Sequence, residues 1–411
     1  MKRSLILVFF VLGASCARAS EPVLVGAVYP TGGAQGMGGV EEFRGVSLAL
    51  ELANRDGGVN GSPIRLVERP ADSADAAPAA VAAAAEAGAP VVLGSYGSTI
   101  STVAARKASE LGVVFWETGA VGELEEGVAV GDRFFRAVSR GESLGEGAVR
   151  FVGEELLPEM GRAGERLRYG VAYVDDVYGR SVGLGALEDV ERRGLPVAGT
   201  FPYHLQAVDY AELADEIERS GTEVLIVAAY LTDGIELRRA MVEAEVPLVA
   251  SVGTSSSYCM PAFGEILGGD AVGLFASDKP DGDVLSPDIL EPGAARALRW
   301  GRDAYRERWN TEMPSAALSG FSSAWALFTQ VLPGAASLDP DGIRDASLAT
   351  TLPMGGLPNG SGLAFAPPGH PEAGANLRAT SVIWEWVEPG TRAVVWPPEL
   401  ATSPILPLPI S

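Results

Sequence analysis

Val23-Leu-Val-Gly-Ala-Val-Tyr29, running straight into Pro30-Thr-Gly-Gly-Ala-Gln-Gly-Met-Gly-Gly39, is the stretch that decides the fold. The first half has the length and apolar continuity of a buried strand, and the second is a glycine-rich loop. From Val40 to Arg55 the residues Val40, Phe43, Val46, Leu50 and Ala53 fall close to one helical stripe, which predicts a helix packed on a sheet. A Gly57-Gly-Val-Asn-Gly61 turn and a second strand, Ile64 to Val67, complete a strand–loop–helix–strand unit.

The same alternation continues downstream. Strands are expected at Pro90 to Gly94 and Val113 to Trp116, with a helix from Thr99 to Leu111 between them, and the small-sided run Ala76 to Ala87 reads as a surface helix lying close to a sheet. A second sheet is expected to begin near Tyr169, with strands at Tyr169 to Val174, Pro196 to Phe201 and Val224 to Ala228 and helices at Arg180 to Arg193 and Tyr210 to Ser220. The segments Arg133 to Val138 and Leu274 to Gly282 read as crossings between the two sheets. Helices at Gly293 to Trp309 and Ser315 to Leu332 would return to the first. The Gly- and Pro-rich tail, with short strands at Thr380 to Val387 and Ala393 to Trp396, would supply a third crossing and a closing edge for the second. Strands alternating with helices make this an α/β protein of two doubly wound parallel-sheet lobes joined by three hinge crossings. The boundaries expected are 22–137 with 279–354 for lobe 1, 138–278 with 355–398 for lobe 2, and a C-terminal tail over 399–411. No repeat of 20 to 50 residues is visible.

Ahead of this unit, Lys2 and Arg3 precede the apolar run Leu5 to Leu12 and the small residues Gly13, Ala14 and Ser15, the order of a secretory leader over residues 1–19. The apolar run is too short for a bilayer span, which takes about 20 residues. Two cleavage readings stand: Ala17-Arg-Ala19 suits a cut before Ser20, whereas Gly13-Ala-Ser-Cys16 resembles a lipoprotein box that would leave Cys16 as a lipid anchor. Either predicts an exported protein, periplasmic or at the cell surface.

With 411 residues the chain has room for about two to three domains. Its 47% hydrophobic content and mean hydropathy of +0.17 suffice for real cores. A formal net charge of −22, more negative still once Lys2, Arg3 and Arg18 leave with the leader, repels nucleic acid and anionic lipid. Cys16 and Cys259 are the only cysteines and His204 and His370 the only histidines, so neither a disulfide scaffold nor a His/Cys metal cluster can be assembled. Cys259 reads as a small buried apolar side chain, and no cofactor is called for.

In an open parallel sheet, ligands gather beyond the carboxyl ends of the strands. Gly94-Ser-Tyr-Gly-Ser-Thr99 follows one strand and opens a helix, so hydroxyls and free amides would converge there on an anionic group. The next exit, Phe115-Trp-Glu-Thr-Gly-Ala-Val121, again supplies a hydroxyl and small residues, and the second sheet offers Asp175-Asp-Val-Tyr-Gly179, Ala229-Tyr-Leu-Thr-Asp233 and Gly253-Thr-Ser-Ser-Ser-Tyr258. Each has a plainer reading: Ser98 and Thr99 as helix N-caps, Asp233 as a cap for a helix at Gly234, and Tyr96, Trp116, Tyr178, Tyr230 and Tyr258 as core aromatics.

From about Val23 to about Pro398 the chain resembles the solute-binding proteins of the branched-chain amino acid type, the leucine/isoleucine/valine-binding receptors of ABC importers with the type I periplasmic binding protein fold. The resemblance implies that Ser98 and the amides around Gly119 and Ala120 hold an amino acid's carboxylate. It implies too that Tyr178, in Asp176-Val-Tyr178-Gly179, contributes an aromatic from the second lobe, and that an acid there meets the ammonium. Two departures stand out. The family's Ala-Thr pair appears as Gly119-Ala120 with Thr118 on the other side, and Gly253 to Tyr258 carries no acid, leaving Asp233 and Glu117 as substitutes. The ligand-binding set expected is therefore Tyr96, Ser98, Trp116, Thr118, Gly119, Ala120, Tyr178, Tyr230, Asp233 and Thr254.

The implied protein is a monomeric receptor, not an enzyme, that captures a small polar ligand and passes it to permease subunits. Two rivals remain. A nucleotide-using enzyme is opposed by Gly33-Ala-Gln-Gly-Met-Gly38, whose spacing is wrong for a dinucleotide fingerprint, and by the lack of a Gly-Lys-Ser/Thr or G-x-S-x-G motif. A ligand-sensing ectodomain of the same fold would need a membrane span or a fused signalling domain.

Overall fold

The computed structural model describes residues 20–123 and 132–408; the leader and Cys16 lie outside these. In the first half, β1 (Val23–Val28), α1 (Gly36–Arg55), β2 (Ile64–Glu68), α2 (Ala77–Glu86), β3 (Val91–Gly94), α3 (Ser98–Leu111), β4 (Val114–Glu117) and β5 (Phe134–Arg136) follow in order. Their strands form one wholly parallel sheet, β2-β1-β3-β4-β5. Helices cover both faces, so β3 and β4 are buried at every position, as strands of a doubly wound sheet must be.

The chain then crosses into α4 (Gly141–Phe151), which runs through a π turn at Val152–Leu156 into α5 (Leu157–Glu159). Next come β6 (Tyr169–Val174), α6 (Val177–Arg192), β7 (Val197–Tyr203), α7 (Tyr210–Ser220), β8 (Val224–Ala228), α8 (Leu231–Glu243), β9 (Ala250–Thr254), α9 (Pro261–Leu267) and β10 (Phe275–Asp278). After a second crossing, α10 (Pro292–Trp309), α11 (Ser315–Ala326) and α12 (Pro340–Ala349) pack back on the first lobe. Finally β11 (Val382–Glu388) and β12 (Thr391–Trp396) close the second sheet, β12-β11-β10-β9-β8-β6-β7, as an antiparallel edge on parallel strands.

Two differences from the sequence reading have physical causes. Helix α1 begins at Gly36, inside the glycine loop, because the glycines are packing devices rather than flexible backbone. A Cβ on Gly38 would overlap the Tyr96 ring, and one on Gly39 would overlap Pro30. The lobe boundary expected at 354/355 is also corrected. Leu357, Leu363 and Phe365 join the core of the first lobe, where the Phe365 ring lies 5.1 Å from Trp116 and 5.0 Å from Phe135, and Ala375 pairs with Arg136. The third crossing comes just before β11, beside the first, where Ser139 Oγ donates to Thr380 O at 3.1 Å. The tail after Trp396 folds back on the second lobe: Thr402 N–H reaches Val394 O at 2.8 Å and Leu406 N–H reaches Glu385 at 2.9 Å.

Each lobe is held by a helix pair whose backbones touch through reciprocal glycines. In the first, Gly45 of α1 faces the backbone of Ala317 while Gly320 of α11 faces that of Glu42; in the second, Gly145 of α4 faces Val182 and Ala186 while Gly185 of α6 faces Glu142. A side chain at any of these four positions would push two helices apart. We expect Gly45→Ala to destabilise the protein by about 1–3 kcal/mol, the usual cost of overpacking, in urea denaturation. Gly153→Ala, where a Cβ meets nothing within 4 Å, should be neutral or stabilising.

Candidate functional site

The carboxyl ends of the two sheets face one another across a narrow cleft. Its walls are Tyr96, Gly97, Ser98, Gly119 and Val121 from the exits of β3 and β4, Tyr178, Tyr230, Ser255 and Ser256 from those of β6, β8 and β9, and Lys279 from the second crossing. Side chains of the two lobes join directly there, Tyr96 Oη donating to Ser256 Oγ at 3.2 Å and Gln35 Nε2 to Tyr230 Oη at 3.1 Å. The space enclosed is about 10 Å³, room for about one water. A ligand of amino-acid size therefore enters only when the lobes part or these side chains swing aside.

Tyr96 is set for such a place. Its backbone has φ of 59°, in the left-handed region that non-glycine residues seldom occupy, and its ring rests on the bare backbone of Gly38. Ser98 Oγ accepts the Gly122 N–H at 3.0 Å, which leaves its own proton to give. Tyr178 and Tyr230 lie with ring centroids 5.3 Å apart. Their hydroxyls are anchored in the second lobe, Tyr178 paired with Thr254 at 2.8 Å and Tyr230 donating to Asp176 at 2.7 Å.

Of the ten residues expected at the site, Tyr96, Ser98, Gly119, Tyr178 and Tyr230 border the cleft. The others do not. Trp116 belongs to the first-lobe core, with its indole N–H given to Ser323 O at 3.1 Å. Thr254 sits behind Tyr178, and Thr118 lies underneath, paired with Tyr29 Oη at 2.6 Å and donating to Glu42 Oε1 at 2.6 Å. Asp233 takes the capping role, accepting Tyr230 N–H at 3.1 Å and Tyr203 Oη at 2.6 Å, and burial pushes its carboxyl up to about 6.

The largest correction concerns Gly119 and Ala120. Their amides, with that of Ser95, converge on a carboxylate of the protein itself: Glu117 Oε1 accepts all three, at 3.0, 2.8 and 3.1 Å. Glu117 is fully buried and takes no part in the cleft wall, so it is not a counter-charge for a ligand's ammonium. A buried carboxylate needs donors, and the turn after β4 supplies them from its own backbone.

Five wall residues escaped the sequence reading: Gly97, Val121, Ser255, Ser256 and Lys279. The serines lay in a quoted exit from which Thr254 was selected instead. For Lys279 a signal existed, because the sequence holds only three lysines, Lys2, Lys107 and Lys279. Glu42 went unnoticed because a glutamate among helical positions ordinarily reads as solvated surface, yet it is fully buried behind Thr118.

Two hinged lobes closing on a shared polar cavity define a solute receptor. The chain belongs to the periplasmic binding protein family, whose model matches residues 22–378. It is 26% identical over 387 residues to a Leu/Ile/Val-binding protein homologue of Brucella abortus, covering 93% of this chain and 92% of that one. An extracellular ligand-binding receptor from Rhodopseudomonas palustris HaA2 superposes with a TM-score of 0.74 at 16% identity, over 92% of this chain and all of that one. The branched-chain amino acid transporter substrate-binding protein LivJ of Streptococcus pneumoniae, solved with isoleucine, gives 0.72 at 17% identity, again over 92% of this chain and all of the other. The fold and family expected from the sequence are those found.

Burial, then the charge of Glu117, pushes the Glu42 carboxyl up to about 8, and burial raises that of Glu117 to about 7. A carboxyl raised in the folded state holds its proton more tightly there than in the unfolded chain. Its stabilising contribution is complete below the unfolded value near 4.5 and is lost as pH rises through the folded one. Stability should accordingly fall by about 1.4 kcal/mol or more between pH 5 and 8. Glu42→Gln, which carries no charge and keeps an acceptor for Thr118, should flatten that slope in thermal melts across the range.

Proposed function

We propose that this protein is the extracytoplasmic receptor of an ABC importer, capturing a small polar ligand in the interlobe cleft and presenting it to permease subunits. The observation that carries the reading is the shared cavity, whose polar walls come from both lobes and meet through Gln35, Tyr230, Tyr96 and Ser256. A ligand seated between the two walls contacts both only when the lobes are closed, so it shifts the population toward that state. Closed and open forms then offer the permease two different surfaces.

The names of the Brucella and Streptococcus relatives point to an amino acid of the branched-chain type, or a related carboxylate or amide, as the ligand class. Ser98 supports an acceptor group on the ligand, since its hydroxyl borders the cavity with a proton still to donate. Tyr178 acts from the opposite wall and so belongs to the closed state. Retention at the membrane would follow from acylation of Cys16, and Cys16→Ser would then release the protein into the soluble fraction.

A panel of amino acids, carboxylates and amides tested by thermal shift checks the reading. A ligand present at 100 times its dissociation constant should stabilise the fold by about 2.7 kcal/mol. Stabilisation by nucleotides with none by the panel would overturn it. Ser98→Ala should weaken the ligand found by about tenfold, as loss of one hydrogen bond to a charged group does, measured by calorimetric titration, with little change in melting temperature.

A further inference from the structure

We propose, on the receptor reading above, that the ligand is a carboxylate lacking an ammonium group and that Lys279 holds its carboxylate. Among the described residues, Lys279 is the only charged side chain on the cleft wall. It is 3% exposed, and of its three N–H donors one is given to Gly119 O at 3.2 Å. Asp278 Oδ1 stands 3.7 Å from Nζ, an ion-pair distance too long for a hydrogen bond, and Asp278 is not part of the wall. An ammonium buried to this degree is stable only where acceptors meet its remaining donors, and the open side of Lys279 is the cavity.

The places where an α-amino acid would be gripped are taken. The amides of Ser95, Gly119 and Ala120 already serve Glu117, so a ligand's carboxylate finds no free cluster of backbone donors there. The second-lobe acids are turned away from the cavity as well: Asp233 accepts from Tyr203 and Tyr230, and Asp176 from Tyr230 and Gly179. Among the described residues, a ligand ammonium would meet the Lys279 side chain and no carboxylate on the cavity wall. An amine-free carboxylate instead completes an ion pair with Lys279, with Ser98 at hand as a further donor and the Tyr178 and Tyr230 rings flanking its apolar part.

The test compares matched compounds by calorimetric titration of the intact protein: leucine, 4-methylpentanoate and leucinamide, then phenylalanine, 3-phenylpropanoate and phenylalaninamide. The expected order in whichever series binds is carboxylate at least tenfold tighter than its amino acid, with the amide, a cation, not bound. Lys279→Met should weaken the carboxylate by tenfold or more, and Lys279→Arg should restore part of the loss. The comparison on the unaltered protein needs no variant, so it decides the matter even when Lys279→Met fails to fold. Amino acids binding as tightly as their deaminated partners would overturn the Lys279 assignment while leaving the receptor reading intact, as would unchanged carboxylate affinity in a folded Lys279→Met. Failure of every carboxylate, with nucleotides binding instead, would overturn both.

Discussion

Three backbone N–H groups aimed at one internal carboxylate determine the shape of the first-lobe cleft wall. Glu117 ends β4, and by accepting from Ser95, Gly119 and Ala120 it ties the exit of β3 to the exit of β4. That tie fixes the neighbourhood in which Tyr96 holds its left-handed backbone, Gly119 offers its carbonyl to Lys279, and Ser98 meets Gly122. The same carboxylate raises the proton affinity of Glu42, so cleft geometry and proton occupancy of the floor are coupled through one side chain. The arrangement resembles a ligand site already filled from within.

Behind the cleft, the two lobes solve one packing problem in the same way. A helix that must lie close to its neighbour, so that each sheet stays covered, brings its backbone into contact through glycine: Gly45 with Gly320 in one lobe, Gly145 with Gly185 in the other. Close contact of this kind resists bending within a lobe, and relative motion is left to the crossings near Ala137, Lys279 and Thr380. Among the described residues, the polar contacts between the lobes include the Tyr96–Ser256 and Gln35–Tyr230 pairs at the cleft, Glu123 N–H donating to Ser181 Oγ at 2.6 Å, and the Arg392–Asp281 ion pair beside the second crossing.

Most of the architecture was legible because buried parallel strands leave continuous apolar runs and helices leave a stripe, and both survive without knowledge of partners. The strand exits were legible for the same reason. The choice among residues within them was not. Trp116 and Thr118 stand at an exit as Tyr96 and Ser98 do, but alternation along β4 sends Trp116 into the core beside Phe365 and turns Thr118 down onto Glu42. Phe365 and its neighbours were assigned to the other lobe, since a Gly- and Pro-rich tail has no periodicity to show which sheet it covers. The fate of the Gly119 and Ala120 amides depended on where a single glutamate curled, which no local pattern encodes.

The order of segments also governs when the molecule can become a folded object. Gly45 near the start packs on Ala317, and the first-lobe core takes in Phe365; the second sheet is finished by β12, ending at Trp396. Both cores therefore wait for the last part of the chain, and contacts of such long sequence separation form slowly. A partly synthesised chain has no complete lobe to lock it. The cleft, which needs both lobes, therefore comes into being only when nearly the whole polypeptide is in place.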